Sequence, residues 1–118
     1  DYTLTFRDLS SEVGPRAGEA WLARFGAARV EAQAWLERWR ARTVGEDLSG
    51  LDRVNPKYVL RNWVAETAIR AVEDHGDIAT LDRIFRLLQT PFDEHAGEEE
   101  FAVPPPPQMC GLEVSCSS

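Results

Sequence analysis

Six apolar residues between Trp21 and Trp39 recur at offsets of 0, 4, 7, 11, 14 and 18: Trp21, Phe25, Ala28, Ala32, Trp35 and Trp39. That is the period of one helical face, since about 3.6 residues make a turn. A strand could not gather these side chains, because its successive residues point to opposite faces. The stripe holds three of the chain's four tryptophans. One helix, or two joined near Gly26, must therefore bury a large aromatic face against something else. Arg24, Glu31, Glu37, Arg38 and Arg42 fall largely off the stripe, as solvent-facing positions do.

Shorter versions of the same pattern flank it. Tyr2, Phe6 and Leu9 predict a short helix within residues 2–12, broken at Gly14-Pro15. Thr43 to Gly50 reads as a loop. Asn55-Pro56 predicts a helix start, with Asn as cap and Pro at the first helical position. From Lys57 to Glu73 the residues Val59, Leu60, Trp63, Val64, Ala68, Ile69, Ala71 and Val72 make a face too broad for a single neighbour. Asp74-His75-Gly76-Asp77 is then a tight connection, with Gly76 near the C-cap and Asp77 as the next N-cap. Ile78, Leu81, Phe85 and Leu88 stripe a further helix that ends before Pro91. Two helices joined so closely make an αα-hairpin.

Charge marks a change of character after the hairpin. Residues 93–118 hold six acidic and no basic residues, whereas residues 1–92 hold 13 basic and 14 acidic ones. Pro104 to Pro107 favours polyproline II and forbids helix, and Leu112-Glu113-Val114-Ser115 could pair as a short edge strand. The expected fold class is therefore mostly α. About four helices over residues 1–92 include the hairpin, and residues 93–118 form an acidic, extended, Pro-rich tail. With 118 residues, there is room for one modest core.

These features exclude several functions. A net charge of −7 without a basic stripe argues against nucleic acid as a partner. No run approaches the roughly 20 apolar residues of a membrane span, and the start at Asp1-Tyr2-Thr3 has no signal-peptide character. A start without Met suits an excised fragment, and twelve Arg against one Lys suits a GC-rich bacterial genome. A cytoplasmic location is the expectation.

The chemical motifs are equally sparse. The chain has no Gly-rich phosphate loop, no paired-Cys zinc spacing and no G-x-S-x-G elbow. His75 and His95 are isolated from other ligand types and read as surface residues. Asp74 and Asp77 read as caps, and the tryptophans as core anchors. The Pro run reads as a spacer, and Glu98-Glu99-Glu100 as a solvated turn. No nucleophile–base pair is visible. Catalytic, cofactor-binding and metal-binding residues are therefore expected to be absent from this segment. Cys110 and Cys116 remain, both in the tail and off any core stripe. By spacing they are spare thiols, and their acidic surroundings disfavour the reactive thiolate.

A resemblance changes the weight of one of them. Asn55-Pro-Lys-Tyr-Val-Leu-Arg-Asn-Trp63, continuing through Ala65, Ala68-Ile69 and Gly76-Asp77, resembles the C-terminal region of the selenoprotein O family, also called YdiU. Asp1-Tyr2-Thr3, Phe6-Arg7-Asp8-Leu9-Ser10, Thr90-Pro91-Phe92, the Pro run and the ending Val114-Ser115-Cys116-Ser117-Ser118 are similar to the same region. The resemblance covers nearly the whole chain. It implies a parent of protein-kinase-like α+β fold that transfers AMP from ATP to protein hydroxyls with Mg or Mn. The family's nucleotide and metal residues lie in the preceding kinase-like domain, and none maps onto residues 1–118. Cys116, third from the end, matches the family's redox-active position, whose implied partner is a Cys in the kinase-like core. Cys110 matches no family position and leaves a local Cys110–Cys116 disulfide open.

The resulting expectation is a C-terminal bracing and redox-regulatory segment. It would dock on the parent's kinase-like core, and its parent would act on protein substrates. The rival expectation is a stand-alone helical interaction module with a Pro-rich tail.

Overall fold

A computed structural model describes residues 1–10 and 18–111. The chain separates into two compact units, Asp1–Asn55 and Pro56–Ser118. Each has its own cluster of buried apolar side chains, where length alone suggested a single core. The described residues carry six α-helices and four short 3-10 turns, with no strand among them.

In the first unit, helix α1 (Tyr2–Arg7) runs into a 3-10 turn at Asp8–Ser10. Asp1 caps it by accepting the Leu4 N–H at 3.1 Å. The tryptophan stripe then falls on two helices, α2 (Glu19–Ala23) and α3 (Arg29–Arg42), with a 3-10 turn at Gly26–Ala28 between them. The break sits at Gly26 because its φ of 50° lies in the left-handed region that side chains with a Cβ avoid. Trp21 is 2% exposed and donates its indole N–H to the Thr5 carbonyl at 2.8 Å. Its ring stacks on Trp35 at 5.8 Å, and Trp35 stacks on Trp39 at 6.4 Å. Leu9, Leu22, Ala32 and Leu36 are buried in the same cluster.

Helix α4 (Leu51–Val54) follows the Thr43–Gly50 loop. Buried Arg7 secures its end by donating to the carbonyls of Asp52 at 2.6 Å and Asn55 at 2.9 Å. A buried guanidinium needs such acceptors, and a helix C-terminus has carbonyls to spare. Asn55 therefore closes a helix instead of opening one. It is the extended C-cap of α4, and its side-chain amide donates to the Leu51 carbonyl at 2.9 Å.

In the second unit the expected helix starts late. The backbone N–H groups of Lys57 and Tyr58 donate to the Pro91 carbonyl at 2.8 and 3.1 Å, and Tyr58 is buried. Anchoring this stretch against the far end of the hairpin overrides the Asn-Pro start signal. Helix α5 spans Asn62–His75 and helix α6 spans Ile78–Gln89. Their connection is the one expected. Gly76 has a φ of 64°, and the N–H groups of Gly76 and Asp77 return to the carbonyls of Val72 and Ala71 at 2.9 Å. Asp77 accepts from the N–H groups of Ala79 and Thr80 at 2.9 and 3.3 Å.

The residues after α6 belong to the same core. Glu99–Ala102 forms a 3-10 turn that buries Phe101 and Ala102 among Tyr58, Trp63, Val64, Ala68, Ile84 and Leu87. Arg83 holds this turn down through Glu98 at 2.6 Å and Glu100 at 2.9 Å, and its guanidinium lies 5.2 Å over the Phe101 ring. The hydrogen bonds that Arg83 donates to Glu98 first, and to Glu100 second, raise its pKa. Two of the three carboxylates expected on a solvated turn are thus tied to α6. Lys57 pairs with Glu94, and the Tyr58 hydroxyl donates to the His95 carbonyl at 3.3 Å. The line that composition draws at residue 92 therefore falls between α6 and a segment sharing its core. Pro107–Met109 forms a further turn and packs Met109 against the cluster. The Gly14-Pro15 break and the Leu112–Ser115 strand lie outside the described residues.

Bonds from the Thr80 side chain and backbone, then Ala79, hold the exposed Asp77 carboxyl below the ordinary 3.8. A carboxyl depressed by folding adds stability above its unfolded value and loses it as pH falls through the folded one. Asp77→Ala is expected to fray the first turn of α6 at neutral pH, with a much smaller effect at an acid pH low enough to protonate the carboxyl. Amide protection of Ala79 and Thr80 at the two pH values checks this; equal effects at both would refute it.

Candidate functional site

The most distinctive surface in the second unit is apolar. Of the sequence stripe on α6, Ile78 and Phe85 are each 60% exposed and Leu81 is exposed as well, while Leu88 packs partly on the core. The residues α6 buries are Ile84 and Leu87, one position round the helix. Helix α6 is thus apolar over two adjoining faces, and the described residues of this unit cover only one of them.

Helix α5 repeats the arrangement. Trp63, Val64 and Ala68 are buried, while Ile69, Val72 and the preceding Leu60 are exposed. The bare residues of the two helices meet across a groove of 470 Å³, with Ala65 and Ala68 among its lining and Glu73 as its charged residue. The expected breadth of the α5 face is therefore real, and the described residues of this unit leave Leu60, Ile69 and Val72 on it exposed. Contiguous apolar patches beyond a few hundred Å² are rare on soluble monomers and mark surfaces that another element covers.

The first unit has a smaller aromatic hollow of 350 Å³, lined by Tyr2, Phe6, Trp21, Phe25, Ala32 and Trp35. Its aromatic rings already pack on one another, Phe6 edge-on to Trp35 at 6.1 Å and Trp21 against Phe25 at 4.5 Å. The tryptophans act mainly as anchors of this cluster.

The titratable residues singled out by sequence are not brought together. His75 ends α5 in an exposed position, and the His95 ring nitrogen Nε2 lies 2.9 Å from the Thr90 hydroxyl beside the Tyr58 ring. Among the described residues, no three His, Cys, Asp or Glu side chains are placed to share a metal ion. Cys110 is exposed after the Pro107–Met109 turn, its sulfur 3.8 Å from the Pro105 carbonyl. Cys116 lies outside the described residues, so the pairing of the two is not addressed by the structure. No helix among the described residues is long and apolar enough to cross a membrane.

The bare apolar face was only partly visible beforehand. The α6 stripe was legible, but its direction was not. Ile84 and Leu87, the residues that turn α6 inward, share the helical i, i+3 spacing that would have flagged a second face.

Known proteins place this surface in context. The chain is 44% identical over its whole length to a protein nucleotidyltransferase YdiU of Bordetella avium, covering 25% of that protein. It is 41% identical to the protein nucleotidyltransferase YdiU of Dechloromonas aromatica and 42% identical to that of Aeromonas hydrophila, covering 26% of each. No protein-family model and no solved structure matches the chain. It spans about a quarter of the length of the curated relatives it matches. The chain is a segment of the YdiU family, corresponding over its whole length to the C-terminal quarter of the family's proteins.

Proposed function

We propose that the segment braces and redox-regulates a protein adenylyltransferase, whose kinase-like core precedes it in the full-length protein. The observation that carries the bracing role is the bare apolar groove between α5 and α6 in a segment that is a quarter of its relatives' length. The relatives' name, protein nucleotidyltransferase, supports the parent activity. In that activity a Ser, Thr or Tyr hydroxyl oxygen of a protein substrate bonds to the α-phosphorus of ATP. The bond to the β-phosphate oxygen breaks, pyrophosphate leaves and the hydroxyl proton passes to a base. ATP and Mg or Mn would bind in the core, and no residue of this segment is assigned to them. The parent would work in the cytoplasm, with the core and its protein substrates as partners, and without nucleic acid or membrane.

The regulatory part rests on Cys116. Its thiol would join a core thiol as a disulfide, releasing two electrons and two protons to a disulfide such as oxidised glutathione. Exposed Cys110 is the possible local partner.

The test uses the full-length protein. Removal of residues 1–118 is expected to lower AMP transfer and solubility at least tenfold, and adding the segment in trans to restore part of both. Cys116→Ser is expected to abolish the difference in AMP transfer between reduced and oxidised protein. Full activity without the segment would sink the bracing role and favour the interaction module. An unchanged redox response in Cys116→Ser would sink the regulatory role.

A further inference from the structure

Resting on that reading, we propose that the α5–α6 groove seats one amphipathic helix from the preceding three quarters of the same polypeptide, completing a three-helix bundle. The shape of the groove selects a helix. Two antiparallel helices leave a trough with large side chains on both rims, Ile69 and Val72 on one and Leu81 and Phe85 on the other. Its lining also includes the small Ala65 and Ala68. Small residues let a third backbone approach closely, and helix-in-groove docking uses such a trough. Residues 81–88 of α6 span about 12 Å, which sets the contact at two to three helical turns. An extended strand would instead need unpaired backbone groups along its path, and two helices satisfy their own.

The chemistry of the lining narrows the occupant. The groove side chains are apolar except Glu73, which sits in the last turn of α5. There the helix C-terminus adds negative partial charge. The docked helix should therefore present an apolar stripe to the trough and a Lys or Arg at the end nearest the Gly76 turn.

Its source follows from length. Members of the family carry roughly three times this chain's length of further polypeptide, joined ahead of the matched quarter. A tethered element competes at an effective concentration of roughly millimolar, far above that of a second copy or a foreign protein.

The test places a photocrosslinking benzoylphenylalanine at Phe85 of the full-length protein, where the replacement is close in shape. A product of monomer mass, joined to a helix-forming peptide ahead of Asp1, is expected. A product of dimer mass, or joined to a foreign protein, would overturn the proposal, as would no crosslink. A second readout needs no bulky group. Phe85→Cys should react with maleimide at least tenfold more slowly than Asp82→Cys, an exposed position on the same helix outside the groove. Equal rates would overturn the proposal independently. The two readings fail separately: AMP transfer independent of the segment, with Phe85 still crosslinking within the chain, would sink only the bracing role, and the reverse result only the docked helix.

Discussion

Trp21→Ala is expected to unfold the first unit or leave it barely stable. Trp21 is 2% exposed, packs against Phe25 and Trp35, and bonds to the Thr5 carbonyl. Removing a buried tryptophan side chain costs about 3–5 kcal/mol through lost transfer energy and the cavity left behind. Small domains hold only about 5–15 kcal/mol in total, and a unit of this size sits at the low end. Trp21→Phe separates the two contributions. It keeps most of the apolar bulk but strips the Thr5 carbonyl of its donor, so a loss nearer 1–2 kcal/mol is expected. Urea unfolding followed by near-ultraviolet circular dichroism measures both. If Trp21→Ala unfolds at the same denaturant concentration as the parent sequence, Trp21 is not the anchor of this cluster.

The second large effect is expected at Phe101→Ala, in a region whose sequence reads as tail. Phe101 is 5% exposed and is capped by the Arg83 guanidinium. Its loss should cost about 3–5 kcal/mol, as for other buried phenylalanines. It should also free residues 93–111 from the hairpin, so cleavage after Glu98, Glu99 or Glu100 by a Glu-specific protease should accelerate sharply. Glu100→Gln provides the contrast. Its bond to Arg83 is at the surface, where such pairs contribute about 0–1 kcal/mol. Comparable effects of the two substitutions would mean that the charges, and not the ring, hold this segment in place.

The helices themselves could be read from the chain because their signals are local. The apolar period from Trp21 to Trp39, the positive-φ glycines at 26 and 76, and the Asp77 cap depend on neighbours within a few residues. While Ala28 of the stripe is exposed, the helix join near Gly26, the C-cap at Gly76 and the N-cap at Asp77 came out where expected. Asn55-Pro56 did not, because its local signal competed with a bond to Pro91 more than thirty residues away and with burial of Tyr58. The same holds for Arg7, whose partners at Asp52 and Asn55 no spacing rule connects to it. Family membership was legible as well, since the Asn55–Trp63 block and the residues around it resemble the family directly, and relatives match the whole chain.

By itself, then, the sequence determined a mostly helical segment, its αα-hairpin and its family. Only the tertiary structure decided which apolar faces are used. A stripe records that a helix side will be shielded from water, but not by which neighbour, because the hydrophobic effect has no direction. Among the described residues of this unit, Ile84 and Leu87 are covered, and Leu81 and Phe85 are left exposed. The acidic run after Pro91 shows the converse. Its charge said solvent, but one phenylalanine next to it and one arginine on α6 were enough to fold it against the core.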